Sequence, residues 1–192
     1  MTKRLKKRAS RRSPLEAAAH HEAGHAVIAI CLEQPFSLVS TDKNDYSRGR
    51  VDIRLDRRRR DWVELACITA LAGPFAQRRY NPRSRWRYGG TGAGAGDRFM
   101  MKGADFQIVS RLIADFKHDD DKVGRAYYRY LEAQAEAPVD DRWSDIEAVA
   151  HALLAQGTMS RDEMRQTIFE SRVRPSLQGT QHEAERRARR PH

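Results

Sequence analysis

From Leu15 to Leu32 the apolar residues are dense and flanked by polar ones, which predicts a helix over 14–33. Its start is marked by Ser13 at the cap position, Pro14 at the first helical position and Glu16 completing a capping box. Pro35 forbids much continuation. Residues 36–41 and 49–55 read as extended, with Val51, Ile53 and Leu55 alternating against charged neighbours and Asp42–Arg48 as the turn between them. A second helix is predicted over 61–80 from Leu65, Ile68, Leu71, Ala72 and Phe75, with a kink at Pro74. Residues 81–103 look irregular, and helical signal resumes at 104–118 and 122–137, the latter ended by Pro138. Ser144-x-x-Glu147 is a second capping box, opening a helix that Gly157 stops. Ser160-x-x-Glu163 is a third, opening a helix to Ser171. The pattern predicts a mainly α (α+β) fold: a helical bundle with one small β-hairpin, and no internal repeat.

The chain has 192 residues and a net charge of +10. That charge is unevenly placed. Residues 1–13 carry seven basic residues and no acid, and 172–192 carry six basic residues and two acids, so the body, 14–171, is close to neutral. The expected organisation is one folded domain over 14–171 between two basic, disordered tails, with a Gly-rich segment inserted at 81–103. No apolar run reaches the length of a membrane span. No apolar stretch follows the basic N-terminus, as a secretory signal requires. Cys31 and Cys67 are too few for a disulfide scaffold or a cysteine-based zinc finger. Both lie in apolar helical stretches, and the expectation is reduced core residues in a cytoplasmic protein.

His21-Glu22-Ala23-Gly24-His25 lies inside the first helix. Residues i and i+4 share a helical face, so both imidazoles can reach one metal ion, with Glu22 beside them. This is the HExxH arrangement: two zinc ligands and a general base. Zn²⁺ activates a water and the carboxylate takes its proton. The bland alternative is a pair of core histidines. Ala23 and Gly24 between the ligands favour a site, because small residues let a wall or a substrate approach closely.

Catalysis needs a third ligand. The extended metzincin motif would place Gly and His where this chain has Ile28 and Cys31. Glu64 is the candidate for a thermolysin-like arrangement, and Asp97 and Asp105 are the candidates for an Asp ligand from a later helix.

The sequence His21-Glu-Ala-Gly-His25-Ala26-Val27 resembles the signature of the FtsH family of ATP-dependent zinc metallopeptidases. Leu71-Ala72-Gly73-Pro74-Phe75-Ala76 resembles the family's "AGRAAE" helix, and Gly103-Ala104-Asp105-Phe106 its turn bearing the third ligand. The segment from Trp143 to Ile168 resembles its closing helical pair. The likeness covers about 14–170 and the peptidase domain alone. It implies a zincin-like bundle with HExxH on the first long helix and Zn²⁺ held by His21, His25 and Asp105, with Asp97 as the alternative third ligand. It further implies Glu22 as general base, and an edge strand (Val51, Asp52 and Ile53) that aligns an extended polypeptide substrate. Two family features are not found in this sequence, the nucleotide motif GxxxxGK[ST] and an apolar stretch long enough for the membrane anchor, and the expectation is a stand-alone peptidase domain. The implied activity is therefore an ATP-independent zinc endopeptidase acting on unfolded or flexible polypeptides. The family assembles as hexamers, so an oligomer is open, although much of that assembly uses the absent module.

Gly90-x-Gly92-x-x-Ala95 loosely matches a dinucleotide fingerprint, but no strand leads into it; a flap near the site is a better reading, and plain disorder at least as good. The arginine clusters at 57–60, 78–79 and 83–87 read as a solvated charged face, the last with nucleic-acid contact as its alternative, and the basic tails allow nucleic-acid contact as a secondary property at most. A second functional class stays open: a catalytically inactive, metal-stabilised binding module.

Overall fold

The computed structural model describes residues 13–41, 50–54, 57–82, 104–117 and 121–173. Helix α1 (Pro14–Cys31) opens as its capping box predicts. Ser13 N–H donates to Glu16 Oε2 at 3.1 Å, and Leu15 N–H donates to Ser13 Oγ at 3.2 Å. Alanines at 17, 19, 23, 26 and 29 are all buried, which brings neighbouring backbones close on several sides. A Schellman turn closes α1: Glu33 N–H donates to Ile30 C=O at 3.2 Å and Gln34 N–H to Ala29 C=O at 2.8 Å. Glu33 occupies the left-handed position there, at φ 56°.

Strand β1 (Phe36–Ser40) follows, then β2 (Arg50–Ile53) and α2 (Trp62–Tyr80). Helix α2 continues through Pro74. Helices α3 (Ala104–Lys117), α4 (Asp121–Asp141) and α5 (Trp143–Gln156) complete the bundle with α6, residues 161–173. Helix α1 packs chiefly on α2 and α5, while α3 and α4 pack on α2. The core runs between them through Ile28, Leu71, Val109, Leu131, Ile146 and Leu153.

The mainly helical architecture with one small antiparallel sheet is the expected one, and several details differ. The sheet has three strands in the order β2-β1-β3, where β3 (Thr158–Ser160) pairs Leu38 with Ser160 and Val39 with Met159. A three-residue strand squeezed between a helix stop and a helix cap has too few positions to show alternation. Helix α4 passes Pro138 and ends at Asp141, where buried Val139 anchors the extra turn and Arg142 N–H donates to Pro138 C=O at 3.0 Å. Consequently α5 starts at Trp143, with Arg142 at the cap position and no side-chain cap bond, rather than at Ser144. Gly157, at φ 77°, ends α5 as expected, and its N–H donates to Leu153 C=O at 2.8 Å.

The Ser160–Glu163 capping box forms: Ser160 N–H donates to Glu163 Oε2 at 2.7 Å and Glu163 N–H to Ser160 Oγ at 3.3 Å. Helix α6 runs two residues beyond Ser171, because the Arg172 guanidinium grips the buried Asp145 carboxylate through Nε, at 3.0 Å, and Nη2. The folded body thus reaches into the segment expected to be a tail. Cys67 is buried, but Cys31, at the last residue of α1, is exposed and not a core residue; both are free thiols. No helix among the described residues is long and apolar enough to cross a membrane. The turn at 42–48, the Gly-rich segment from residue 83 to 103 with Asp97, residues 1–12 and residues 174–192 lie outside the described residues.

Candidate metal centre

Helices α1 and α2 cross antiparallel, and small residues set how close they come. A Cβ on Gly24 of α1 would lie 2.6 Å from Ala76 Cβ and 2.8 Å from Ala72 O. A Cβ on Gly73 of α2 would lie 2.3 Å from His25 Nε2. Real Cβ atoms do not approach so closely, so glycine at 24 is a condition of this crossing and glycine at 73 a condition of the His25 ring's place in it.

The HExxH histidines rise from α1 into the gap between α2 and α3. His25 Nδ1 sits 2.8 Å from the Thr69 carbonyl, and His21 Nδ1 sits 3.0 Å from Gln77 Oε1. Thr69, Gly73 and Gln77 are spaced by four along α2, so one face of that helix meets the i, i+4 pair on α1. A carbonyl oxygen only accepts, so each Nδ1 carries the proton and donates it. The two Nε2 atoms are then bare in the neutral rings, and they face each other at 3.1 Å. Asp105, in the first turn of α3, adds its carboxylate: Oδ2 lies 3.1 Å from His21 Nε2 and Oδ1 lies 3.5 Å from His25 Nε2.

Three acceptors therefore converge, and only a cation reconciles them. Two imidazole nitrogens and a carboxylate oxygen, all within 4.8 Å of one another, form a group that could hold a metal ion. Ligands about 2.05 Å from a tetrahedral ion stand about 3.3 Å apart; the two ring nitrogens are 3.1 Å apart, and each faces a different oxygen of the Asp105 carboxylate, Oδ2 at 3.1 Å for His21 and Oδ1 at 3.5 Å for His25.

Without a metal, a proton plays the cation's part. Burial opposes charge on His25, which is 6 % exposed, but Asp105 outweighs it and lifts the imidazole from 6.5 to about 9. Burial likewise opposes charge on Asp105, yet His25 and His21 hold it well below the usual carboxylate range. Glu22 is 7 % exposed, and burial raises its pKa against the pull of His25 and His21.

The structure thus brings together His21, His25 and Asp105, with Glu22 buried and electrostatically coupled to all three. It does not bring in Glu64, whose Oε1 accepts from Tyr130 Oη at 2.5 Å. Strand β2, bearing Val51, Asp52 and Ile53, lies at one margin of the sheet. Arg54 N–H donates to Pro35 C=O at 2.8 Å. Backbone groups alternate sides along a strand, so Val51 and Ile53 turn theirs away from β1. Sequence reasoning overlooked Thr69 and Gln77 as ring partners. Their signal was present: Thr, Gly and Gln at intervals of four opposite His and His at an interval of four.

No family model matches the sequence, and no curated protein matches it either.

Proposed function

We propose that the chain is a metal-dependent endopeptidase of the HExxH type, with Zn²⁺ as its metal and unfolded or flexible polypeptide as its substrate. The observation that carries this reading is the convergence of His21 Nε2, His25 Nε2 and the Asp105 carboxylate, with Glu22 buried beside them. Two imidazoles and one carboxylate are a zinc-type donor set that leaves a coordination position open. When bound, the ion supplies an activated water and polarises the scissile carbonyl.

The remaining work falls to the chain's own residues. Thr69 C=O and Gln77 Oε1 hold the two rings with Nε2 presented to the ion. Glu22 accepts the proton released as water attacks and passes it to the leaving amine. In the metal-free site its burial raises its pKa above that of a solvated carboxylate. The outward N–H and C=O groups of Val51 and Ile53 pair with an extended peptide, so recognition reads backbone more than side chains. No nucleotide motif occurs in the chain, and the reaction proposed is ATP-independent. The likeness to FtsH-type peptidase domains and the free thiols of a cytoplasmic protein agree with this reading.

Zinc content of the natively purified chain, read beside peptide cleavage by the wild type and by Glu22→Gln, tests it. About one zinc per chain, with cleavage lost in Glu22→Gln while metal is kept, is the expected result. A chain that takes up no zinc when it is offered contradicts the proposal. A chain that holds zinc and cleaves no member of an unstructured peptide library is instead a metal-stabilised binding module.

A further inference from the structure

Gln34 lies just past the end of α1, yet it is only 5 % exposed. Its Nε2 donates to Thr69 Oγ1 at 3.0 Å, 35 residues along the chain. Thr69 is 1 % exposed, and its carbonyl accepts the hydrogen bond from His25 Nδ1–H. A continuous path therefore runs from the α1 terminus through Thr69 to a ligand ring. Gln34 Oε1 is buried with no hydrogen-bond partner among the described residues. Burying an amide with one end unmet is costly. Packing does not account for that cost, because leucine would fill similar space without it.

We propose that Gln34 is a positioning residue for the metal centre, acting on His25 through Thr69. The inference rests on the metal reading of the site. Gly73 brings α2 so close to His25 that a small tilt of α2 would turn the ring. The Gln34–Thr69 bond ties α2 to the end of α1 on the residue whose carbonyl orients that ring. It fixes the direction of Nε2.

The test uses the full chain, with Zn²⁺ and Co²⁺ alone as probes. Zinc affinity is measured by chelator competition for the wild type, Gln34→Leu, Thr69→Val, the double variant and Thr69→Ser. The visible spectrum of the Co²⁺ form and the thermal midpoint of the metal-free chain accompany each. Gln34→Leu and Thr69→Val should each weaken zinc binding roughly tenfold, as loss of an outer partner does. The double variant should be no weaker than either single one, because both remove the same bond. Thr69→Ser keeps the hydroxyl and should restore affinity and spectrum. The metal-free midpoint of Gln34→Leu should not fall. Wild-type affinity in Gln34→Leu, or additive losses in the double variant, would overturn the proposal while leaving the metal site standing. A wild type that binds neither ion removes the metal reading and this inference together.

Discussion

Gly73 leaves the space that His25 occupies: a Cβ on the glycine would lie 2.3 Å from His25 Nε2, 2.5 Å from Cε1 and 2.7 Å from Cδ2. The obstruction is a side-chain ring, held by Thr69 at Nδ1 and facing His21 and Asp105 at Nε2, that can yield by swinging out of the site. Gly73→Ala should therefore fold but bind zinc at least tenfold more weakly, as chelator competition would show. At Gly24 the obstruction is Ala72 backbone and Ala76 Cβ, which yield only if the helices separate. Gly24→Ala should lower unfolding stability by about 1–3 kcal/mol in denaturant titration. Equal effects of the two substitutions on metal and on fold would show that the two glycines do not have separate roles.

Glu22→Gln keeps the shape of the side chain and removes its basicity. Zinc stoichiometry should stay near that of the wild type, while kcat for a cleaved peptide should fall by about 10²–10⁴-fold. Quantifying both on one preparation separates loss of the base from loss of the ion.

The His25–Asp105 pair gives the metal-free chain a defined pH dependence. The His25 pKa is raised from 6.5 to about 9, so its contribution is full below 6.5 and is lost as pH rises through 9. The Asp105 pKa is lowered from 3.8, so its contribution is present above 3.8 and is lost as pH falls further. The two describe one interaction, which is greatest between about 4 and 6.5. Raised by burial, Glu22 adds a loss of stability above 4.5, in the same direction as that of His25. Thermal midpoints of the metal-free chain should fall on both sides of the window, and Asp105→Asn should flatten the contribution of the pair. Zinc must displace the His25 proton, so its apparent affinity should rise with pH up to about 9. An affinity independent of pH between 6 and 9 would count against a protonated His25 in the free site.

Glu33 occupies a left-handed position, φ 56°, in the turn that ends α1, where glycine carries no Cβ penalty. Glu33→Gly should stabilise the chain by about 0.5–1 kcal/mol, raising the thermal midpoint by about 1–4 °C. The turn also sets the direction of Gln34, so zinc affinity should not change with it. A calorimetric scan and one chelator titration check both statements.

Much of this protein is local and legible along the chain. The caps at Ser13 and Ser160, the stop at Gly157 and the two-ligand spacing of His21 and His25 each depend on residues within one or two helical turns. Periodicity and cap chemistry were therefore enough to locate them. The resemblance of residues 103–106 to a ligand-bearing turn named Asp105 from far along the chain. Spacing alone left Glu64, Asp97 and Asp105 equal, because nothing local says which helix folds back over the histidines.

Tertiary packing decided the rest. Pro138 stays inside α4 because Val139 is buried, and Arg172 belongs to the body because Asp145 is buried and needs its charge. Strand β3 exists because β1 offers it a free edge. Thr69 and Gln77 became ring partners only when Gly24 and Gly73 let α1 and α2 close on each other. Short-range chemistry is written in neighbouring residues, whereas the carboxylate that completes the cluster and the groups that orient the rings arise where distant segments meet.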